Sequence, residues 1–201
     1  VTIGATVGCC FGFRTAVDGK RCIVGHKVTL FPVVRLSLAA SMNRIVSTVS
    51  SGATDELPDR IAVIDRVRRL SWEAVRTNSD RLAQALLDHG IMRPDVSLIH
   101  LGNSTEQFLI RLACEKAGIR VILTTTAFRE TELISIIERA KPSIAFVSAR
   151  LAGRGHYDPL RRTLEERGVG LEFVVVGSEP VPWGKTYEEL LASATTPIVS
   201  L

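Results

Sequence analysis

A chain of 201 residues with 46% apolar and 23% charged residues can bury one substantial core, which excludes a disordered chain and a small disulfide scaffold. The net charge is only +4, the basic residues are scattered among acidic neighbours, and aromatic residues make up 5%, so no basic face suited to nucleic acid emerges. Cys9, Cys10, Cys22 and Cys114 form no C-x-x-C pair and lack clustered histidines; neither a zinc set nor a disulfide framework is expected, and a reducing cytoplasm is the default compartment.

Residues 1–41 hold few acidic residues, three of the four cysteines and no clean period of 2 or 3.6. Their apolar run VTLFPVVRLSLAASM is broken by Pro32 and Arg35, so no membrane span is expected. The reading is an irregular leader or a segment that packs on the main domain. Organised sequence begins just after Met42, which gives an expected division into residues 1–41 and an α/β domain over 42–201.

NRIVSTVSS predicts a short amphipathic helix, Pro58 and Asp59 a turn, and IAVID with RRLSW a pair of strands able to form a hairpin. Ser71 is placed to cap a helix running to His89 and stopped by Gly90, with Val75, Ser79, Leu82, Ala83, Leu86 and Leu87 on one face. Strand VSLIHL follows, then a helix from Ser104 to Ala117 closed by Gly118, strand IRVILT, and a helix from Arg129 to Ala140 stopped near Pro142. Strand SIAFV, a loop, a helix opened by Asp158 and Pro159 and closed by Gly168, strand EFVVV and a last helix from Thr186 complete the series. Short strands apolar along their length, alternating with helices, predict a doubly wound, largely parallel α/β sheet with helices on both faces.

WGKT at 183–186 has the ending of a phosphate-binding loop, but the required first glycine position is Glu179, and Pro180 and Pro182 remove two amide donors. Thr186 reads instead as the cap of the last helix. GRGHYD lacks the third glycine of a dinucleotide fingerprint and reads as a connection ending in an Asp158 cap. His26, His89, His100 and His156 are isolated in sequence, and Cys114 lies on the apolar stripe of its helix, so no hydrolytic constellation is visible. HLGNSTEQFL differs from these. Asn103 or Ser104 can cap a helix whose N-terminus faces the carboxyl end of the sheet, where α/β proteins place ligands, and TTTAFRE supplies hydroxyls and Arg129 at the same edge.

The ordered series matters more than any one piece. Pro58-Asp59-Arg60 precedes a strand, Ser71-Trp72-Glu73 starts a helix running to LLDHGI, Asp95-Val96 opens a strand, and Asn103-Ser104 follows it. Lys116-Ala117-Gly118 and the Glu132-Leu133 helix ahead of KPSIAFV continue it. Over roughly residues 43–195 the sequence resembles the N-terminal part of the AMP-forming acyl- and aryl-CoA synthetase superfamily, which includes luciferases and the adenylation domains of peptide synthetases. FRETEL, GHYDPLRRTLEE and EFVVVG look most like the aryl-acid-activating branch. Gly102 stands where family members usually have Pro, and TTTA lacks the Pro usual before Arg129.

The resemblance implies a ligase that converts ATP and a small carboxylic acid into an acyl-adenylate and passes the acyl group to CoA or a carrier's phosphopantetheine. Magnesium would assist. The family's phosphate loop, adenine and magnesium motifs and C-terminal lid normally follow the point reached at TTPIVSL, so the chain reads as an N-terminal portion truncated before them, with no catalytic residue or metal ligand to nominate. Its expected partners are the downstream subdomains, with self-association through an exposed apolar face. Arg129 is the one binding residue nominated, because an Arg in the corresponding loop of some members lies near the CoA phosphates. The alternative is a non-catalytic α/β binding or protein-interaction module, polar all round.

Overall fold

The computed structural model describes residues 52–53, 55–178 and 181–194, together with strands β1 (Cys22–Val24) and β2 (Val28–Leu30). The helix expected over NRIVSTVSS and the side chains of Cys9, Cys10, Cys22 and His26 lie outside the described residues. The chain divides into two compact units, residues 1–79 with 103–109 and residues 80–102 with 110–201.

In the first unit, β3 (Ile61–Ile64) and β4 (Arg69–Ser71) form the expected hairpin, pairing Ile61 with Ser71 and Ile64 with Arg69 around a bulge. The antiparallel sheet has the order β1-β2-β3-β4. Asp65 shapes the hairpin turn: its Oδ1 accepts from the backbone N–H of Val67 at 2.8 Å and of Arg68 at 2.7 Å, the local bonding that makes Asp a turn residue. Helix α1 (Trp72–Asp88) starts where Ser71 Oγ accepts from Ala74 N at 3.2 Å. Helix α2 (Thr105–Lys116) starts in the same way, with Ser104 Oγ accepting from Gln107 N at 3.2 Å.

The second unit holds β5 (Val96–His100), β6 (Arg120–Leu123), β7 (Ile144–Ser148), β8 (Glu172–Val176) and β9 (Lys185–Thr186). All pair in parallel in the order β6-β5-β7-β8-β9. Alternate residues point to opposite faces. Ile99, Ile144, Phe146 and Val174 pack against Leu82 and Leu86 of α1 and Ile110 and Ala113 of α2. Leu98, Ala145, Val147 and Val175 pack on the other face against Leu133 and Ile137 of α3 (Glu130–Ala140) and Leu160 and Leu164 of α5 (Asp158–Glu166). Covering both faces explains why the inner strands carry no polar alternation, and each fully buried Leu or Ile contributes about 1.5–3 kcal/mol.

Helices α1 and α2 stop at Gly90 and Gly118, both with positive φ as their places in the sequence predict. Three local features differ from expectation. A one-turn helix α4 (Ala149–Ala152) occupies part of the loop after β7, where Ala-Arg-Leu-Ala has high helix propensity. Strand β9 was not signalled, being only two residues long. Tyr157, not Asp158, is the cap of α5: the chain reaches helical dihedrals one residue early (φ −96°, ψ −6°), which puts the Asp158 carboxylate in the first turn. The last helix α6 (Tyr187–Ala192) begins as predicted, with Thr186 Oγ1 accepting from Glu189 N at 3.1 Å and Thr186 N donating to Glu189 Oε2 at 2.7 Å.

Candidate functional site

The carboxyl end of the parallel sheet collects polar side chains from three separate stretches: His100 at the end of β5, the loop 124–129 after β6, and residues 156–157 before α5. Arg129 is the residue preceding α3. It is exposed, and its backbone N–H donates to Glu132 Oε2 at 3.0 Å, which anchors the turn and leaves the guanidinium outside the helix. That guanidinium reaches 27 residues along the chain, where Arg129 Nη1 donates to His156 Nδ1 at 3.0 Å.

His156 sits edge-on to two further rings. Its centroid is 4.9 Å from Tyr157 and 5.7 Å from His100, both near perpendicular, and Tyr157 lies 5.7 Å from His100. Burial first, and the Arg129 charge second, hold His156 below the usual histidine value, against the Phe128 backbone, which pulls it up. His100 is 0% exposed, with both ring nitrogens buried. Burial, with a smaller push from His156, lowers it to about 4, the Thr126 backbone opposing. Tyr157 is equally enclosed, its hydroxyl accepting from Ser148 N at 3.3 Å and pushed up by burial to about 12. At neutral pH this cluster is therefore two uncharged imidazoles and an uncharged phenol beside one exposed cation.

The sequence names Arg129 but shows His100 and His156 only as isolated residues; the parallel register brings them together across 56 positions. The signal was faint. It consists of a histidine at the last position of an otherwise apolar strand and another just before a helix start.

The remaining candidates are otherwise engaged. Lys185 of WGKT stands 3.5 Å from Glu172 Oε1 and 3.3 Å from both ring nitrogens of His89, whose Nε2 meets the same carboxylate at 2.7 Å. This cluster sits beside the first residue of β8, away from the carboxyl end, and ties α1 to β8 and β9. Cys114 is fully buried, and burial raises its thiol to about 12, so it is no nucleophile. Among the described residues no group of three His, Cys, Asp or Glu side chains could hold a metal ion, and no helix is long and apolar enough to cross a membrane. A groove of about 160 Å³ beside Arg161, Leu164, Phe173 and Trp183 is below the 300–1,000 Å³ usual for small-molecule sites. Among the described residues the exposed large apolar side chains are Ile61, Val67 and Met92.

A family model described as AMP-binding enzyme matches residues 51–197. The chain is 33% identical over 121 residues to a salicylyl-CoA synthase / salicylate adenylyltransferase of a Streptomyces species, covering 60% of this chain and 22% of that protein. It is 31% identical over 86 residues to enterobactin synthase component E of Escherichia coli, covering 43% and 16%. The fold matches the crystal structure of an anthranilate CoA ligase in complex with anthranoyl-AMP at a TM-score of 0.68 and 15% identity, covering 83% of this chain and 30% of that one. The chain thus spans less than a third of the length of each of these proteins.

Proposed function

Because the chain belongs to the family of AMP-binding enzymes, we propose that it is the N-terminal portion of a ligase that activates a carboxylic acid with ATP and transfers the acyl group to a thiol. A carboxylate oxygen attacks the α-phosphorus of ATP and pyrophosphate leaves; the thiol sulfur then attacks the acyl carbon, losing its proton, and AMP leaves. The single observation that carries this reading is the family match across residues 51–197. Likeness to a salicylate adenylyltransferase favours an aromatic acid as substrate. The location proposed with this reading is the cytoplasm, the default that the cysteine spacing in the sequence sets.

The described residues contribute to this chemistry unevenly. We assign the contacts to magnesium and to the ATP phosphates to the downstream parts of the ligase; the lysine of WGKT is paired with Glu172. Arg129 does fit a phosphate. It is exposed at the carboxyl end of the sheet beside the N-terminus of α3, and one contact to His156 leaves most of its five N–H donors free. We assign it to the phosphates of CoA or of a carrier's phosphopantetheine.

The second reading that the sequence leaves open is a non-catalytic α/β interaction module. Carboxylate-dependent exchange of pyrophosphate into ATP separates the two. The 201-residue chain alone is expected to show none, and the same chain joined to the remaining portion of its salicylate-activating relative is expected to exchange with an aromatic acid. A folded joined protein inert toward aromatic and aliphatic acids alike would overturn the ligase reading.

A further inference from the structure

We propose that His156, in its neutral form, is the positioning residue for Arg129: its Nδ1 accepts from the guanidinium and holds this exposed cation at the carboxyl end of the sheet, and acid that protonates His156 releases it. The functional meaning of the contact rests on the assignment of Arg129 to an acceptor phosphate, whereas the coupling itself stands on geometry.

A guanidinium only donates, so the 3.0 Å contact requires a lone pair on Nδ1 and places the imidazole proton on Nε2. Nε2 is buried. The rings of Tyr157 and His100 stand edge-on to the imidazole and fix its plane, so Nδ1 is presented outward to Arg129. Ordering an exposed Arg costs rotamer entropy, and the hydrogen bond to His156 opposes that cost.

The charged and titratable groups facing the ring are Arg129 before α3, His100 from β5 and Tyr157 beside it. Asp158, next along the chain, directs its carboxylate to Gly155. The two facing bases are both cations when charged, and none of the three groups is a carboxylate. An imidazolium at 156 would meet Arg129 with no lone pair and with like charge, and burial and that charge together outweigh the Phe128 backbone, which favours it. The same contact therefore exists on one side of the titration only.

Nitrogen-15 NMR on the 201-residue chain tests this. The expected result is an Nε2–H tautomer at position 156, and an Arg129 Nε–Hε resonance that shifts with the same midpoint as His156. Arg129→Gln should move the His156 midpoint upward. His156→Asn, which keeps an acceptor oxygen near the position of Nδ1, should preserve the Arg129 resonance, while His156→Leu should give that of a free arginine. An Nδ1–H tautomer, or an Arg129 signal indifferent to the titration, overturns the proposal. Adenosine 3′,5′-bisphosphate provides the second arm: about fivefold weaker binding is expected for Arg129→Gln, the loss of one exposed charge contact. No binding, with the coupling intact, overturns the phosphate assignment and leaves the positioning role established.

Discussion

Asp65 and Thr105, forty residues apart, are joined by one carboxylate that serves two elements. Its Oδ1 closes the β3–β4 turn through Val67 and Arg68, while Oδ2 accepts from the backbone N–H of Thr105 at 3.1 Å and from the Thr105 hydroxyl. Burial works against ionisation here, but the four donors outweigh it and hold the carboxyl at about 2, against 3.8 in the unfolded chain. Because Thr105 is the first residue of α2, the negative charge also lies where that helix N-terminus favours it.

Replacing Asp65 by Asn should therefore cost about 1–2 kcal/mol at neutral pH, the solvent exposure of the carboxylate reducing what the full shift would imply. The depressed folded value means this contribution is fully present above about 3.8 and fades as pH falls toward 2. Urea titrations from pH 6 to pH 2.5 check it: the gap between wild type and Asp65→Asn should be constant down to pH 4 and narrow below it.

His100 predicts a second and separate pH dependence. Its folded value of about 4 lies below the ordinary 6.5, so the unfolded chain takes up a proton that the folded chain refuses. Stability contributed by the neutral ring is complete above about 6.5 and declines as pH falls through 6 and 5 toward 4, by a total on the order of 2–3 kcal/mol. In His100→Gln the slope of unfolding free energy between pH 6.5 and pH 4 should flatten, whatever the variant's stability at pH 7. An unchanged slope would show that this ring does not govern it.

These two sites differ in how legible they are. Ser71, Ser104 and Thr186 announce helix starts, and Gly90 and Gly118 helix ends, because a cap is decided by residues within one turn of it. The apolar runs at 96–99 and 144–147 announce buried parallel strands for an equally local reason. Asp65 reads only as a turn residue, since its bond to Thr105 depends on a pairing no short window contains. His100 and His156 meet because β5 and the segment before α5 end at the same edge, so their chemistry is set by strand order. Arg129 could be nominated through family resemblance, but its partner could not.

Gly177, at the end of β8, has φ +129°, and a Cβ built there would stand 2.8 Å from the Ala149 Cβ, where α4 begins. Both the backbone conformation and the contact resist a side chain. Gly177→Ala should lose about 2–4 kcal/mol, read as a lowered thermal midpoint. Gly102→Ala supplies the contrast: nothing lies within 4 Å of the added carbon and φ is not in the left-handed range, so a change within about 0.5 kcal/mol is expected.

Cys114 offers a probe of opening at the centre of the second unit. Its side chain is fully buried with Leu82, Ile99 and Ile110, and burial raises the thiol to about 12 against a bonding contribution from Ser97. Thiolate is the reactive form, so alkylation at pH 8 is suppressed both by the scarcity of thiolate and by the absence of access. Site-resolved mass spectrometry after iodoacetamide treatment should find Cys114 unmodified in the native chain and fully modified in urea. Its labelling rate at intermediate urea should follow the global unfolding free energy, because reaching the sulfur requires α2 to leave the sheet. Rapid labelling under native conditions would mean that α2 opens independently of the core it covers.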